Sequence, residues 1–339
     1  QAEDGIRDVE RSRGRGDVYK RQVRVRPTVD PSPRRWYHLD GMSELYPGEH
    51  YIRPPNEAFS VIIRVTKGCP WGRCRFCGIY QAMGVRYQER TAQEVMADID
   101  RAVDLYGSDE RHFFFGDADP IAIPTEDFVA VAEHLARRFP KKERLTAYAR
   151  AATAWRRRRE LPRLHRAGLD RLHVGLETGH DDLLRYHQKG ISRRRMIDAC
   201  RAIVDAGIEL SLYVLLGLGG RDRWREHAEA TAEAINEIRP HFIRFRRLWI
   251  HSRCPLREAV CRGEFLPQTP EGTVLETRAI LAALDPNMAV EVECMHHNDY
   301  VKFQARFPQE RRDVLDAIDA FLALPAEERE AVYRVPSCI

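Results

Sequence analysis

Between residues 58 and 250 the chain alternates short apolar runs with helical patterns, six times over. Strands separated in this way must lie parallel and be joined by right-handed crossovers, which leaves few folds open. The runs cover 59–65, 112–115, 145–150, 171–176, 208–216 and 242–250. The fifth is almost wholly apolar, as a strand buried on both faces should be. Thr91 with Glu94 three residues on reads as a capping box opening a helix. Thr125 and Ser192 read as further helix starts, and Gly107, Gly168 and Gly207 as stops. Six strands where a closed barrel has eight predict an α/β fold: a partial (β/α)6 TIM-type barrel, open towards its substrate side. The 339 residues are enough to bury such a core.

The flanks read differently. Residues 1–23 are rich in Arg, Asp and Gly without apolar periodicity, and are expected to be a disordered or non-native leader. Residues 24–57 carry scattered prolines and aromatics, as an extended lead-in wrapping the barrel would. Residues 251–339 are expected to be an α-rich C-terminal cap, with 313–324 as its clear amphipathic helix. No apolar run approaches about 18 residues and no signal-peptide core is visible, so the chain reads as cytoplasmic with no membrane contact. A net charge of +4 does not by itself point to nucleic acid, and the basic runs 156–159 and 193–195 read as solvated helix faces. Eight cysteines are too few for a disulfide framework. Cys200 falls in a helical core pattern, while Cys254, Cys261, Cys294 and Cys338 read as lone or core thiols rather than a second cluster.

Three of the cysteines stand apart. Cys69, Cys74 and Cys77, with four and then two residues between them, follow directly on the first strand and its turn Thr66-Lys67-Gly68. The carboxyl ends of parallel strands are where α/β enzymes build their sites. Three thiolates with no fourth protein ligand nearby do not suit structural zinc, which takes four. They suit an iron–sulfur cubane whose fourth iron is left to a substrate or cosubstrate. Other strand ends add Gly116-Asp117-Ala118-Asp119-Pro120, Glu177-Thr178-Gly179 and the glycine-rich 216–220. The paired acids after Gly116 are read as countercharge for a cation, against an Asp-Pro turn with a helix cap. Tyr148 and Arg150, and Arg244 and Arg246, alternate in register and are candidates for facing into the barrel. Inward arginines would suit a carboxylated or phosphorylated substrate. His173, His296 and His297 carry a metal reading only weakly; a histidine pair in a polar tail is more often surface.

With these residues in place, the chain resembles the radical S-adenosylmethionine superfamily over about residues 58–250. The usual spacing there is three then two intervening residues; here it is four then two. The run from Arg53 through Tyr80 is similar to a barrel-only branch labelled coproporphyrinogen-oxidase-like. The resemblance implies that Cys69, Cys74 and Cys77 hold three irons of a 4Fe–4S cluster and that S-adenosylmethionine chelates the fourth. One electron would then free a 5′-deoxyadenosyl radical that takes hydrogen from a small, possibly anionic, organic substrate. It implies further that Phe76 lies against the adenine, with backbone groups of Ile79 and Tyr80 reading its edge. Gly116 with Asp117 or Asp119 would meet the ammonium, Glu177 the ribose hydroxyls and Lys189 the carboxylate. The expected partners are a small-molecule substrate and an electron donor such as flavodoxin or ferredoxin, with no nucleic acid. Two other readings are a non-catalytic zinc or redox-sensing iron–sulfur protein, and a tRNA-modifying enzyme of the same superfamily. The latter would carry an appended nucleic-acid module, which the sequence does not display.

Overall fold

The computed structural model describes residues 44–296 and 299–333, so the leader over 1–23, the lead-in as far as residue 43, His297 and Cys338 lie outside the described residues. In chain order the first strands are β1 Val61–Arg64, β2 Thr66–Lys67, β3 Gln88–Glu89, β4 His112–Gly116 and β5 Arg144–Ala149. They are followed by β6 Arg171–Glu177, β7 Glu209–Leu216, β8 Phe242–Arg247, β9 Val290–Cys294 and β10 Phe303–Phe307. One sheet runs in the order β1-β4-β5-β6-β7-β8-β9-β10, and β2 with β3 forms a small ribbon beside it. All neighbours in the large sheet are parallel except β10, which runs antiparallel to β9. The architecture is therefore α/β, a partial TIM-type barrel whose sheet stays open between β1 and β10 among the described residues.

Two-residue alternation divides each strand between helix layer and barrel interior. Phe113 and Phe115 point outwards, their rings 4.6 Å from Phe139 and 5.6 Å from Phe128. Phe114, between them, faces inwards at 5.1 Å from Tyr148. Tyr148, His173 and Tyr213 continue that interior layer with ring separations of 5.7 to 6.4 Å. The barrel floor is closed by the described end of the lead-in. Glu57, on the turn Pro55–Glu57, is fully buried and accepts from Ser60 at 2.6 Å, with His173 Nε2 at 3.2 Å. Burial works to raise the Glu57 carboxyl, but His173, Arg144 and Ser60 outweigh it and hold it near 2. Burial drives His173 the other way, down to about 4, so the ring is neutral at the floor.

The capping box is present as expected: Thr91 Oγ1 accepts from Glu94 N, and Glu94 Oε2 accepts from Thr91 N at 2.8 Å. Thr125 is not a cap. It is the first residue of helix Thr125–Arg138, and its hydroxyl joins Glu160 and Arg157 on a neighbouring segment. The larger correction concerns the sheet. The sixth strand stops at Arg247, and the extension after it supplies two further strands, not helices alone. Val290-Glu291-Val292-Glu293-Cys294 reads as a charged tail, yet Glu293 turns inwards as the partner of Arg244 and Arg246. Among the described residues no helix is long and apolar enough to cross a membrane.

Candidate cluster and cosubstrate site

The cysteine loop follows β1 and the short β2, and the ends of β4 and β6 lie near it. Gly68 makes the turn with φ +71°, and a Cβ there would come within 3.0 Å of the Arg86 carbonyl. Cys69, Cys74 and Cys77 are all half-buried and unpaired, and a turn ties two of them through Cys77 N to Cys74 O at 3.1 Å. Burial pushes the Cys77 thiol up to about 11, with the Ile79 N–H opposing it, and Cys74 and Cys69 add to the rise. Burial also raises Cys74, against the pull of Lys189 and with the push of Glu177 and Cys69. The three thiols thus share one electrostatic neighbourhood with Glu177 and Lys189.

Glu177 ends β6, and how it gets there is local. The pairing with β7 shifts register between Gly175 and Glu177, a bulge that re-aims the side chain. Glu177 itself takes φ 62°, a conformation ordinarily left to glycine. Its Oε1 accepts from Lys189 Nζ at 2.8 Å, each side chain 16% exposed. A Cβ on Gly175 would lie 2.0 Å from that same Oε1, so the glycine makes room for the pair. Burial works against the Lys189 ammonium, but Glu177 and Cys74 outweigh it and hold its pKa above the ordinary value. Lys189 Nζ also lies 5.7 Å from the centre of the Phe76 ring, and Phe76 meets His187 edge-on at 5.7 Å. Phe76, Glu177 and Lys189 therefore lie together near the thiols.

Gly116, Asp117 and Asp119 are close by but already engaged. Gly116 is buried at the end of β4, its carbonyl accepting from Val65 N at 2.6 Å. Asp117 is fully buried, accepts from Arg64 at 2.7 and 3.2 Å, and takes Gly68 N at 2.9 Å. Asp119, equally buried, accepts from Thr153 Oγ1 at 2.5 Å and Arg150 N at 3.1 Å, at the start of helix Ala151–Arg156. Burial raises its carboxyl to about 6 despite those donors. Each acid thus satisfies donors of the protein itself.

Trp71 links the two halves of the site. Its Nε1 donates to Gln188 O at 2.7 Å, and Gly190, at φ +79°, has no room for a Cβ because the Trp71 ring would be 2.6 Å away. Arg73 and Arg150 each stand 5.1 Å from the indole centre. Arg75 N adds a second tie to His187 O at 2.9 Å. The wider cysteine spacing therefore carries a ring that clasps the segment holding Lys189. Trp71→Ala is expected to cost about 2 kcal/mol of unfolding free energy and Trp71→Phe about 1 kcal/mol, the latter for the hydrogen bond alone. Denaturant midpoints measure both, and equal losses would show that the ring adds nothing beyond its hydrogen bond.

The donor set fits a cluster better than a single ion. Zinc at about 2.3 Å from each sulfur would draw the thiols onto one point. Among the described residues no three Cys, His, Asp or Glu side chains stand that way. An iron–sulfur cubane takes its thiolates on separate irons and has no need of that convergence.

A family model of the Radical SAM superfamily matches residues 63–234, just over half the chain, and takes in the three thiols, Glu177 and Lys189. The chain belongs to the radical SAM superfamily. A 4Fe–4S cluster and S-adenosylmethionine are the cofactors of that superfamily. Among solved structures, the chain is similar to TsrM of Kitasatospora setae, a radical S-adenosylmethionine methyltransferase. That likeness is 13% identity over 81% of this chain and 62% of that one, with a TM-score of 0.52. It is also similar to the archaeal Methanocaldococcus infernus Elp3, at 14% identity over 77% and 63%, TM-score 0.49. Coproporphyrinogen III oxidase of Escherichia coli gives 12% identity over 66% and 52%, TM-score 0.45. The chain spans less than two thirds of the length of each of these proteins, and at such identities the likeness is one of fold. No curated protein matches the chain.

Sequence reasoning did not find Gly175, Glu293 or the buried pair His227 and Glu276. A glycine inside an apolar strand signals close approach and could have marked Gly175. The others lie on helices or in the extension, where nothing in the local pattern announces them.

Proposed function

We propose that the chain cleaves S-adenosylmethionine reductively and uses the product radical to take hydrogen from a small organic substrate held in the barrel. When bound, the reduced cluster supplies the electron that opens the sulfonium. The protein's own residues hold and screen the reactants. Cys69, Cys74 and Cys77 take three irons, Lys189 faces the cosubstrate carboxylate, Glu177 its ribose hydroxyls and Phe76 its adenine. The convergence of Glu177, Lys189 and Phe76 on the thiol loop carries this reading, because a left-handed backbone at a side-chain-bearing residue is a cost that clusters at functional sites.

The substrate space is the interior layer of Tyr148 and Tyr213 above the closed floor. Arg244 and Arg246 do face that space, but Glu293 pairs with both and Arg246 also lies 5.1 Å over the Tyr213 ring. Glu293 offers one carboxylate to two guanidiniums, so a positive charge is left over beside this space and an anionic group on the substrate would meet it. An external carrier such as flavodoxin or ferredoxin would deliver the electron, in the reducing cytoplasm where free thiols persist. Reconstituted with iron and sulfide without oxygen, then given dithionite and S-adenosylmethionine, the protein is expected to turn brown and release 5′-deoxyadenosine. A colourless protein that forms none would sink the reading.

A further inference from the structure

Behind Glu177 lies a buried polar pair that the cysteine and cosubstrate residues do not use. His227, on helix Trp224–Ile238, and Glu276, on helix Pro270–Ala283 of the extension, are both fully buried. His227 Nδ1 lies 2.7 Å from Glu276 Oε1, and its Nε2 lies 3.2 Å from the backbone carbonyl of Glu177. The same Glu276 Oε1 accepts from Gly217 N at 2.9 Å, where β7 turns with φ +83°. One helix turn further on, Thr231 Oγ1 accepts from Gly179 N at 3.0 Å. A Cβ on Gly179 would fall 2.1 Å from Ala230 O, so this helix lies directly against the turn.

Two features make this more than packing. Glu276 Oε2 is buried with no partner among the described residues, and a half-satisfied buried carboxylate is a cost that a purely structural pair would shed. The two backbone groups it reaches, through His227 and directly, belong to the neighbouring ends of β6, which carries Glu177, and β7. Glu177 needs such support, since its left-handed backbone is unfavourable for a side-chain-bearing residue.

We propose that His227 and Glu276 are positioning residues that fix the strand ends at Glu177 and Gly217 against the cosubstrate. The C-terminal extension then builds part of the cosubstrate site from below, because Glu276 lies beyond residues 63–234. The inference rests on the reading that Glu177 meets the ribose, and its test separates the two. The measurement is equilibrium dialysis of S-adenosylmethionine with the cluster-loaded, full-length enzyme under anaerobic conditions, with iron content determined in parallel. The double variant His227→Phe, Glu276→Leu removes both partners together, so no buried charge is stranded. It is expected to bind about tenfold more weakly with iron content unchanged. In a Glu177→Ala background the same two changes are expected to add roughly threefold at most, since only the Gly217 turn is then left for them to position.

Wild-type affinity in the double variant overturns the proposal. So does an undiminished tenfold loss in the Glu177→Ala background, which would mark a general structural effect. Glu276→Ala alone is the second variant should the double one not fold; a loss of roughly threefold or more supports the proposal and wild-type affinity overturns it. Wild-type affinity in Glu177→Ala itself would instead remove the ribose reading.

Discussion

Replacing any one of Cys69, Cys74 or Cys77 with alanine is expected to bring iron content, brown colour and 5′-deoxyadenosine formation down to background. Two thiolates cannot hold three corners of a cubane, and the buried cysteines Cys200, Cys254 and Cys294 are otherwise engaged. Cys200 is fully buried in helix Arg193–Asp205, its thiol pushed up to about 12 by burial. Cys254 lies beside the loop, but its sulfur donates to Arg75 O at 3.3 Å. Cys294 is buried in β9. Alanine at Cys200, Cys254 or Cys294 should therefore leave the iron in place. Loading must also strip protons from thiols that burial holds up, Cys77 most clearly, so uptake is favoured as pH rises towards that range. Full iron in Cys77→Ala, or loss of iron in Cys200→Ala, would show that the cluster is held elsewhere.

How far the sequence could be read follows the range of the interactions involved. The strands, the cysteine loop and the Glu177 strand end are local patterns: period-two apolarity, a turn glycine, a residue at the end of a run. The capping box at Thr91 is equally local and is found where expected. What failed depends on distant partners. Thr125 has the look of a cap, but Glu160 and Arg157 claim its hydroxyl from 35 and 32 residues away. The last two strands were missed because their acids look like solvent-facing residues. Whether Glu293 points in or out is decided by Arg244, 49 residues away, and no window of sequence contains both. Asp117 and Asp119 were read as free charge for the same reason, since Arg64 and Thr153 lie 53 and 34 residues off.

Asp117 therefore offers the sharpest separation of a structural role from a cosubstrate role. Arg64 is 1% exposed and Asp117 fully buried, and the guanidinium meets both carboxylate oxygens in a fork. Tyr46 and Tyr51 flank Arg64, each ring centre 5.8 Å away, so water has little access. The other partner, Glu49 at 2.5 Å, is 40% exposed and holds Lys67 as well. Burial pushes the Asp117 carboxyl up, while Arg64 and the Gly68 N–H pull it back. Asp117→Ala removes the fork and leaves a buried cation with one partly solvated partner, at an expected cost of about 3–5 kcal/mol of unfolding free energy. It also frees Gly68 N at the turn into the cysteine loop, so iron retention should fall with stability. The paired change Arg64→Met, Asp117→Leu takes out both charges and should recover most of the loss, because the cost lies in the stranded charge. Urea unfolding curves of the three proteins decide the matter. If Asp117→Ala unfolds at the wild-type midpoint yet binds S-adenosylmethionine poorly, the fork does no structural work and the carboxylate belongs to the cosubstrate ammonium instead.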